Sequence, residues 1–303
     1  MQEHWMVPLL YRLHWMKWED LSYGWSLFAI YGLVQVMATY AVCVPMEKIR
    51  PIEIWPDRKA VLTDVLYTLI MRVGLVPIAA FVVFYGVQTW VNGFIVDRGW
   101  VPPSLETVFP FLMGWPAITF LLYLIILDFA DYWRHRLSHR FHLWYCLHSL
   151  HHAQRQMTFW SDDRNHLLDD LISGFWFGAV ALLIGVAPMQ FPLLVLTARF
   201  LESMSHANAR VSFGPVGEYL LVSPRFHRLH HGIGAAGRKS VNYGGIFPWW
   251  DMMFGTADFS PVFIPTGDPS ADEAMHSGSY WAQQASGVKR LLRALRPATV
   301  RKG

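Results

Sequence analysis

Charged residues and cysteines are both scarce in this chain of 303 residues. Asp, Glu, Lys and Arg together make up 16% of it, and 53% is hydrophobic. A soluble domain normally carries about 25% charged residues, so this composition argues against an ordinary soluble fold. The two cysteines, Cys43 and Cys146, form no Cys-x-x-Cys pair. Their number and spacing argue against a disulfide framework, an iron–sulfur cluster and a thiolate zinc site.

Several cofactor and catalytic motifs are also missing from the sequence. It contains no flavin-type glycine fingerprint, no appended haem domain and no His-Glu-x-x-His motif. No Glu-x-x-His motif stands at the histidine clusters described below, so the carboxylate di-iron site of ferritin-like bundles is not built there. The glycine-rich run 232–237 follows no predicted strand, which favours a turn or flexible lid over a nucleotide loop. We also predict no cleavable signal peptide.

Long apolar runs are present instead. Residues 21–44, 61–91 and 108–130 each exceed or match the roughly 20 apolar residues that cross a bilayer. Residues 171–201 contain two prolines and predict either two shorter spans or a re-entrant hairpin that turns near residues 187–190. The predicted fold is therefore all-α and integral to the membrane, with about four to five membrane-embedded helices.

Basic residues are distributed unevenly between the predicted loops. Residues 45–60 carry four Lys or Arg, whereas residues 92–107 carry one. Residues 131–170 carry five arginines. The positive-inside rule then places residues 45–60 and 131–170 in the cytoplasm, at the inner membrane if the source is bacterial. The hairpin over 171–201 returns the chain to the same side.

Histidine is concentrated in the second half of the predicted membrane domain. Eleven of the 14 histidines lie between residues 135 and 231, and eight of them form three clusters. The clusters are His135 with His139, His148 with His151 and His152, and His227 with His230 and His231. Spacings of three and four place side chains on one helix face. Neutral imidazole is the commonest metal ligand, and eight are more than one metal can take, so we predict two metals.

Three further histidines lie between the second and third clusters or beside the first. His206 ends the last apolar run, and we predict it as a ninth ligand. His142 breaks the cluster spacing and is interpreted as structural. His166 stands alone in a polar loop and is either an auxiliary ligand or a loop residue.

Asp131 is the candidate carboxylate beside the ligands. It lies on one helical stripe with His135, at a spacing of four. A carboxylate next to a ligating imidazole commonly accepts its second N–H, which fixes the tautomer. Asp131 could instead bridge the metals, or pair with Arg134 or Arg136.

The residues around these clusters are similar to a known family signature. The run from Asp128 to His152 reads Asp-x-x-x-Tyr-Trp-x-His-Arg-x-x-His followed by His-x-x-His-His. Residues 205–208, 223–231, 242–244 and 250–256 resemble the second half of the signature in order. The chain thus resembles the fatty acid hydroxylase superfamily, also called the sterol desaturase family, over residues 60–260. It departs from the pattern at Leu167, where the family often has proline.

The resemblance implies a membrane di-metal site, normally two irons, that uses O2 to hydroxylate or desaturate an unactivated C–H bond of a lipid. The nine histidines above would then hold the irons, with His166 as the open addition. Iron is implied by the resemblance alone, because imidazole also suits zinc, copper and nickel. Residues 1–260 are predicted as a single membrane-embedded catalytic domain with a histidine-rich helical cap on the cytoplasmic face. Residues 261–303 are predicted as a polar linker and a basic amphipathic helix on the inner leaflet.

The expected partners are a membrane lipid and a separate electron donor, since the chain carries no visible electron-transfer module. The donor would be ferredoxin-like, or cytochrome b5-like with its reductase. A nucleic-acid partner is not expected, and the oligomeric state is open. A basic face could dock an acidic carrier, or could reflect only the membrane topology; its residues are Arg136, Arg140, Arg155, Arg225, Arg228, Arg238 and Lys239.

Two other functions compete with this one. An integral-membrane zinc hydrolase would hold one zinc with three histidines and leave most of the others unexplained. A metal transporter would carry its ligands within the spans, near the bilayer midplane. The predicted clusters lie outside the spans, in arginine-rich sequence.

Overall fold

The computed structural model describes residues 2–186, 190–233 and 240–296, and the regular elements within these ranges are helices joined by turns and loops. No β-strand occurs in them, which confirms the all-α prediction. The α-helices are α1 (Val7–Arg12), α2 (Glu19–Ile49), α3 (Lys59–Arg72), α4 (Leu75–Val96), α5 (Leu105–Val108), α6 (Pro116–Arg140), α7 (His142–His152), α8 (Leu167–Leu183), α9 (Phe191–Ser205), α10 (Gly214–Gly217), α11 (Pro224–His230), α12 (Trp249–Met253), α13 (Glu273–Ser277) and α14 (Tyr280–Leu295). One π-helical segment (Gln2–Met6) and three 3-10 segments (Met16–Trp18, Pro110–Gly114 and Phe159–Asp163) complete the described elements.

Three helices are long and apolar enough to cross a membrane. They are the helix continuous over Met16–Ile49, α4 and α6. The 22 residues of α4 extend about 33 Å at 1.5 Å per residue, and its apolar window has no residue buried inside the protein. The side chains of α4 are therefore available to lipid. Helices α8 and α9 have 17 and 15 residues, fewer than the roughly 20 that cross a bilayer. The expected total of four to five embedded helices therefore stays a prediction. The hairpin turn near residues 187–190 also stays a prediction, because residues 187–189 lie outside the described ranges.

The long apolar run over residues 61–91 is not one span but two helices. Helix α3 ends at Arg72, and Gly74 adopts a φ of 93° before α4 begins. The physical reason lies in Arg72, which is 6% exposed and pairs with Asp162 at 2.8 Å and with Asp163 at 2.7 Å. A buried arginine must be paired, so the chain ends α3 against these carboxylates and turns at the glycine.

Helix α7 carries the second histidine cluster and lies between α6 and α14. Its last turn is fixed by Arg164, whose Nε donates to the Leu150 carbonyl at 3.2 Å. Arg164 also pairs with Asp64 of α3 at 2.7 Å, and neither side chain is exposed. These contacts join α3, α7 and the segment after α7 into one packed unit.

The C-terminal helix packs on protein along the first half of its length. Tyr280, Gln284 and Gly287 of α14 are buried, and the Tyr280 and Tyr67 rings lie 4.6 Å apart. The helix begins at Tyr280, within the predicted C-terminal segment 261–303, and its docked face is built mostly from small and polar side chains. Leu292 and Leu295 are exposed, as a leaflet-facing surface requires. Residues 297–303 lie outside the described ranges.

Candidate metal centre

The nine predicted ligands come together as two groups. We call the first the five-histidine group: His135, His139, His148, His152 and His230. We call the second the four-histidine group: His151, His206, His227 and His231. Within each group, one nitrogen of every ring lies within 4.8 Å of all the others. Eight of the nine residues are buried, and His139 is half-buried.

Each His-x-x-His-His cluster divides between the two groups. In α7, His148 and His152 are four residues apart and share a helix face, which faces the five-histidine group, while His151 points to the other group. Around α11 the middle histidine, His230, joins the five-histidine group, whereas His227 and His231 join the four-histidine group. The His152 and His231 rings stack between the groups with centroids 4.4 Å apart. The sequence suggested that each cluster points in one direction, and the structure corrects this.

The ring nitrogens fit metal ions. In the five-histidine group, all five Nε2 atoms are buried and make no hydrogen bond within the described part of the chain. In the four-histidine group, the His206 Nε2 lies 3.1 Å from that of His227 and 3.3 Å from that of His151. A buried nitrogen without a partner costs roughly 1–3 kcal/mol. A metal ion bound between the converging nitrogens would accept their lone pairs and remove this cost.

The opposite ring nitrogens are held by backbone carbonyls. The Nδ1 of His135 lies 2.9 Å from the Tyr243 oxygen, and that of His230 lies 2.7 Å from the Val241 oxygen. The Nδ1 of His206 lies 2.8 Å from the Glu202 oxygen. A carbonyl can only accept, so each Nδ1 carries the proton and each Nε2 presents a lone pair. These three tautomers are the ones that metal binding through Nε2 requires.

Asp169 of α8 supplies the carboxylate that we expected from Asp131. The Nδ1 of His148 donates to Asp169 at 2.9 Å, and Trp144 Nε1 donates to the same carboxylate at 2.6 Å. Asp131 instead accepts from Arg134 Nε at 2.7 Å, which is the ion-pair alternative. Asp169 could have been noticed from the sequence as a carboxylate at the start of an apolar helix.

His166 and His142 lie outside both groups. The His166 Nδ1 accepts from the Leu168 amide at 3.1 Å and so caps α8, and its Nε2 donates to the Gln284 carbonyl at 2.9 Å. Both ring nitrogens are occupied, which favours the loop-residue alternative. His142 is exposed at the start of α7.

Burial favours the neutral form of four candidate ligands: His151, His152, His230 and His231. Desolvation lowers the pKa of His230 to about 3. Desolvation, followed by repulsion from neighbouring rings, also lowers the pKa of His151, His152 and His231 well below the usual value. At neutral pH these rings are therefore unprotonated, as metal ligands must be.

Comparison with known proteins agrees with this geometry. The sequence profile of the family described as Fatty acid hydroxylase matches residues 120–256. That range runs from near the start of α6 past α12 and contains all nine ligand candidates. No solved structure matches the chain significantly.

Curated relatives carry the same family relationship. The ornithine lipid hydroxylase of Rhizobium tropici is 26% identical over 236 residues, which cover 74% of this chain and 66% of that protein. Human alkylglycerol monooxygenase is 30% identical over 135 residues, covering 43% of this chain and 28% of that enzyme. The Delta(7)-sterol 5(6)-desaturase of Aspergillus fumigatus is 27% identical over 165 residues, covering 47% of this chain and 50% of its own. The chain thus spans less than two thirds of the length of these relatives.

The order of the histidine motifs, their two convergent groups and these relationships agree with one another. Residues 120–256, which contain all nine ligand candidates, match the Fatty acid hydroxylase family, and the relatives that the chain resembles include a lipid hydroxylase, a monooxygenase and a sterol desaturase.

Proposed function

We propose that this protein is a membrane-bound, O2-dependent di-iron enzyme that hydroxylates or desaturates an unactivated C–H bond of a lipid. The observation that carries the proposal is the convergence of nine buried or half-buried histidines into two groups at the end of the membrane-crossing helix α6. Relatives named as an ornithine lipid hydroxylase, an alkylglycerol monooxygenase and a sterol desaturase support a lipid substrate.

The imidazole ligands of both groups are compatible with iron. Two irons, when bound, would supply redox chemistry toward O2, which zinc lacks. For hydroxylation, one oxygen atom enters the C–H bond, and the other leaves as water with two electrons and two protons. A hydrolase with one zinc would use three histidines, so most of the convergent rings would have no role.

The protein's own residues position and shield this site. His135 and His139 lie on the last turns of α6, one and two turns beyond Tyr132. Because α6 crosses the membrane, a lipid chain in the adjacent leaflet lies within reach of these turns. The carbonyl and carboxylate acceptors on Nδ1 hold the rings in one tautomer and one orientation. Burial of the rings excludes water from the space between the groups.

The electrons must come from a partner. We propose a ferredoxin-like or cytochrome b5-like carrier acting from the cytoplasmic side, where the basic loops place the ligand helices. The expected docking face loses one member, since Arg228 is 1% exposed and bonded to Glu53. Arg155 remains exposed, while Arg238 and Lys239 lie outside the described residues.

The experiment is lipid analysis of cells that express the chain, combined with metal analysis of the purified protein. Cells are grown under oxygen-18 gas, and the expected product is a membrane lipid that contains one oxygen-18 atom or one additional double bond. His151→Ala should abolish the product, and His142→Ala is the matched control because that exposed histidine lies outside both groups. A purified protein that binds one zinc and no iron, with unchanged lipids, would refute the proposal.

A further inference from the structure

The loop over residues 240–246 provides the backbone acceptors for two ligands of the five-histidine group. The carbonyl oxygen of Val241 accepts a hydrogen bond from His230, and that of Tyr243 accepts one from His135. Those histidines come from helices separated by more than 80 residues of chain, at positions 135 and 230. The loop therefore joins α6 and α11 at the metal centre, and whatever holds the loop also sets the ring orientations.

Asn242, between the two carbonyls, has the backbone conformation that this arrangement needs. Its φ is 59°, in the left-handed region that asparagine tolerates better than most residues. The residue is fully buried. Its Nδ2 donates to the Phe226 carbonyl at 2.8 Å and to the Asp258 carbonyl at 2.9 Å, and its Oδ1 accepts from the Asp258 amide at 2.6 Å. Asn242 thus ties the loop to α11 with every side-chain donor used.

Asp251 of α12 holds the peptide group between Tyr243 and Gly244. Its carboxylate accepts from the Tyr243 amide at 2.9 Å and from the Gly244 amide at 2.8 Å. The Gly244 N–H belongs to the same peptide group as the Tyr243 carbonyl that accepts from His135. A continuous series of hydrogen bonds therefore runs from the buried carboxylate through one peptide to a ligand imidazole. The negative charge at one end polarises the peptide and strengthens its carbonyl as an acceptor.

We propose that Asn242 and Asp251 are positioning residues of the five-histidine group, fixing through the loop the tautomer and orientation of His230 and His135. The proposal rests on the proposed function only in taking that group as a metal site. Neither side chain touches the space between the ring nitrogens, so both act through the backbone. Loss of such outer contacts commonly lowers metal affinity about 10- to 100-fold.

The test is metal content and chelator-driven metal release, measured on the full-length protein in detergent. Asp251→Asn exchanges one acceptor oxygen for an amide donor without changing the size of the side chain. It should leave about one metal per chain where the wild type holds two. Asn242→Gly keeps the positive φ and removes the side-chain ties; it should hold two metals and release one of them about 10- to 100-fold faster. Asp272→Asn is the matched control, because Asp272 also accepts a backbone amide and a hydroxyl, from Met275 and Ser286, and makes no hydrogen bond to the nine ligand candidates in the described structure.

Combination with ligand variants identifies which group is affected. In a His230→Ala background the five-histidine group is already disabled, so Asp251→Asn should cause no further loss. In a His151→Ala background, which disables the four-histidine group, Asp251→Asn should remove the remaining metal. The proposal would be overturned by equal metal loss in both backgrounds, or by a rate of metal release from Asp251→Asn that equals that of the wild type. Failure of the proposed function would be seen separately, as a wild-type chain that holds metal but leaves lipids unchanged.

Discussion

Replacement of Asp169 by asparagine tests whether the metal centre depends on its surrounding carboxylate. Asp169 is 2% exposed, and it accepts from the His148 Nδ1 at 2.9 Å and from Trp144 Nε1 at 2.6 Å. Asparagine keeps the shape but removes the charge. It also offers one acceptor atom in place of two, so His148 and Trp144 must compete for it.

The expected magnitude follows from this geometry. Loss of a hydrogen-bonded partner of a metal-bound histidine lowers metal affinity about 10- to 100-fold, which corresponds to about 1.4–2.7 kcal/mol. Only the five-histidine group should weaken, because His148 belongs to it. Metal affinity would be measured by competition with a chelator of known affinity, on protein purified in detergent. Two binding phases are expected, of which one shifts.

A double-variant cycle provides the control. Once His148→Ala has removed the ring that Asp169 contacts, Asp169→Asn should cost little more, so the two losses should not add. Asp170→Asn is the neighbouring comparison, since Asp170 makes no hydrogen bond to a ligand histidine in the described structure. Additive losses in the cycle, or wild-type affinity in Asp169→Asn, would refute the reasoning.

Three further outcomes are expected. His151→Ala and His230→Ala should each remove about one metal per chain, and the double variant should remove both; metal analysis by mass spectrometry would show whether they instead act on one shared site. Asp64→Asn removes the charge that compensates the buried Arg164. It should lower the free energy of unfolding by about 3–5 kcal/mol, measured by thermal unfolding; an unchanged melting temperature would contradict this. Deletion of residues 280–303 should reduce both thermal stability and metal content because α14 packs on α7; wild-type values of both would contradict this.

Local sequence patterns were sufficient for much of the fold. The all-α class and the helices α2 and α6, which are long and apolar enough to cross a membrane, follow from long apolar runs, because length and hydropathy are what a bilayer requires. The apolar run over residues 61–91 predicted one span, but the structure divides it into α3 and α4. Helix α3 ends at Arg72, which pairs with Asp162 and Asp163, and these lie about 90 residues later in the chain. No local pattern could have located those partners.

The metal centre shows the same division. The spacing of the histidines predicted eight of the nine residues that converge, and the position of His206 at the end of an apolar run predicted the ninth. It could not assign Asp169 to His148, since that contact joins α7 to α8 through tertiary packing. Nor could it separate His166 from the ligands, because the acceptor for its Nε2 lies on α14.

By itself, the sequence predicted which histidines converge, since residue type and helical spacing are local properties. Only the tertiary structure decided how each His-x-x-His-His motif divides between the two groups, because that division depends on how helices distant in sequence pack around the histidines. It also decided which backbone carbonyls hold the rings, through the positive φ of Asn242 and the carboxylate of Asp251. These second contacts set the tautomer, and they exist only once distant segments have packed together.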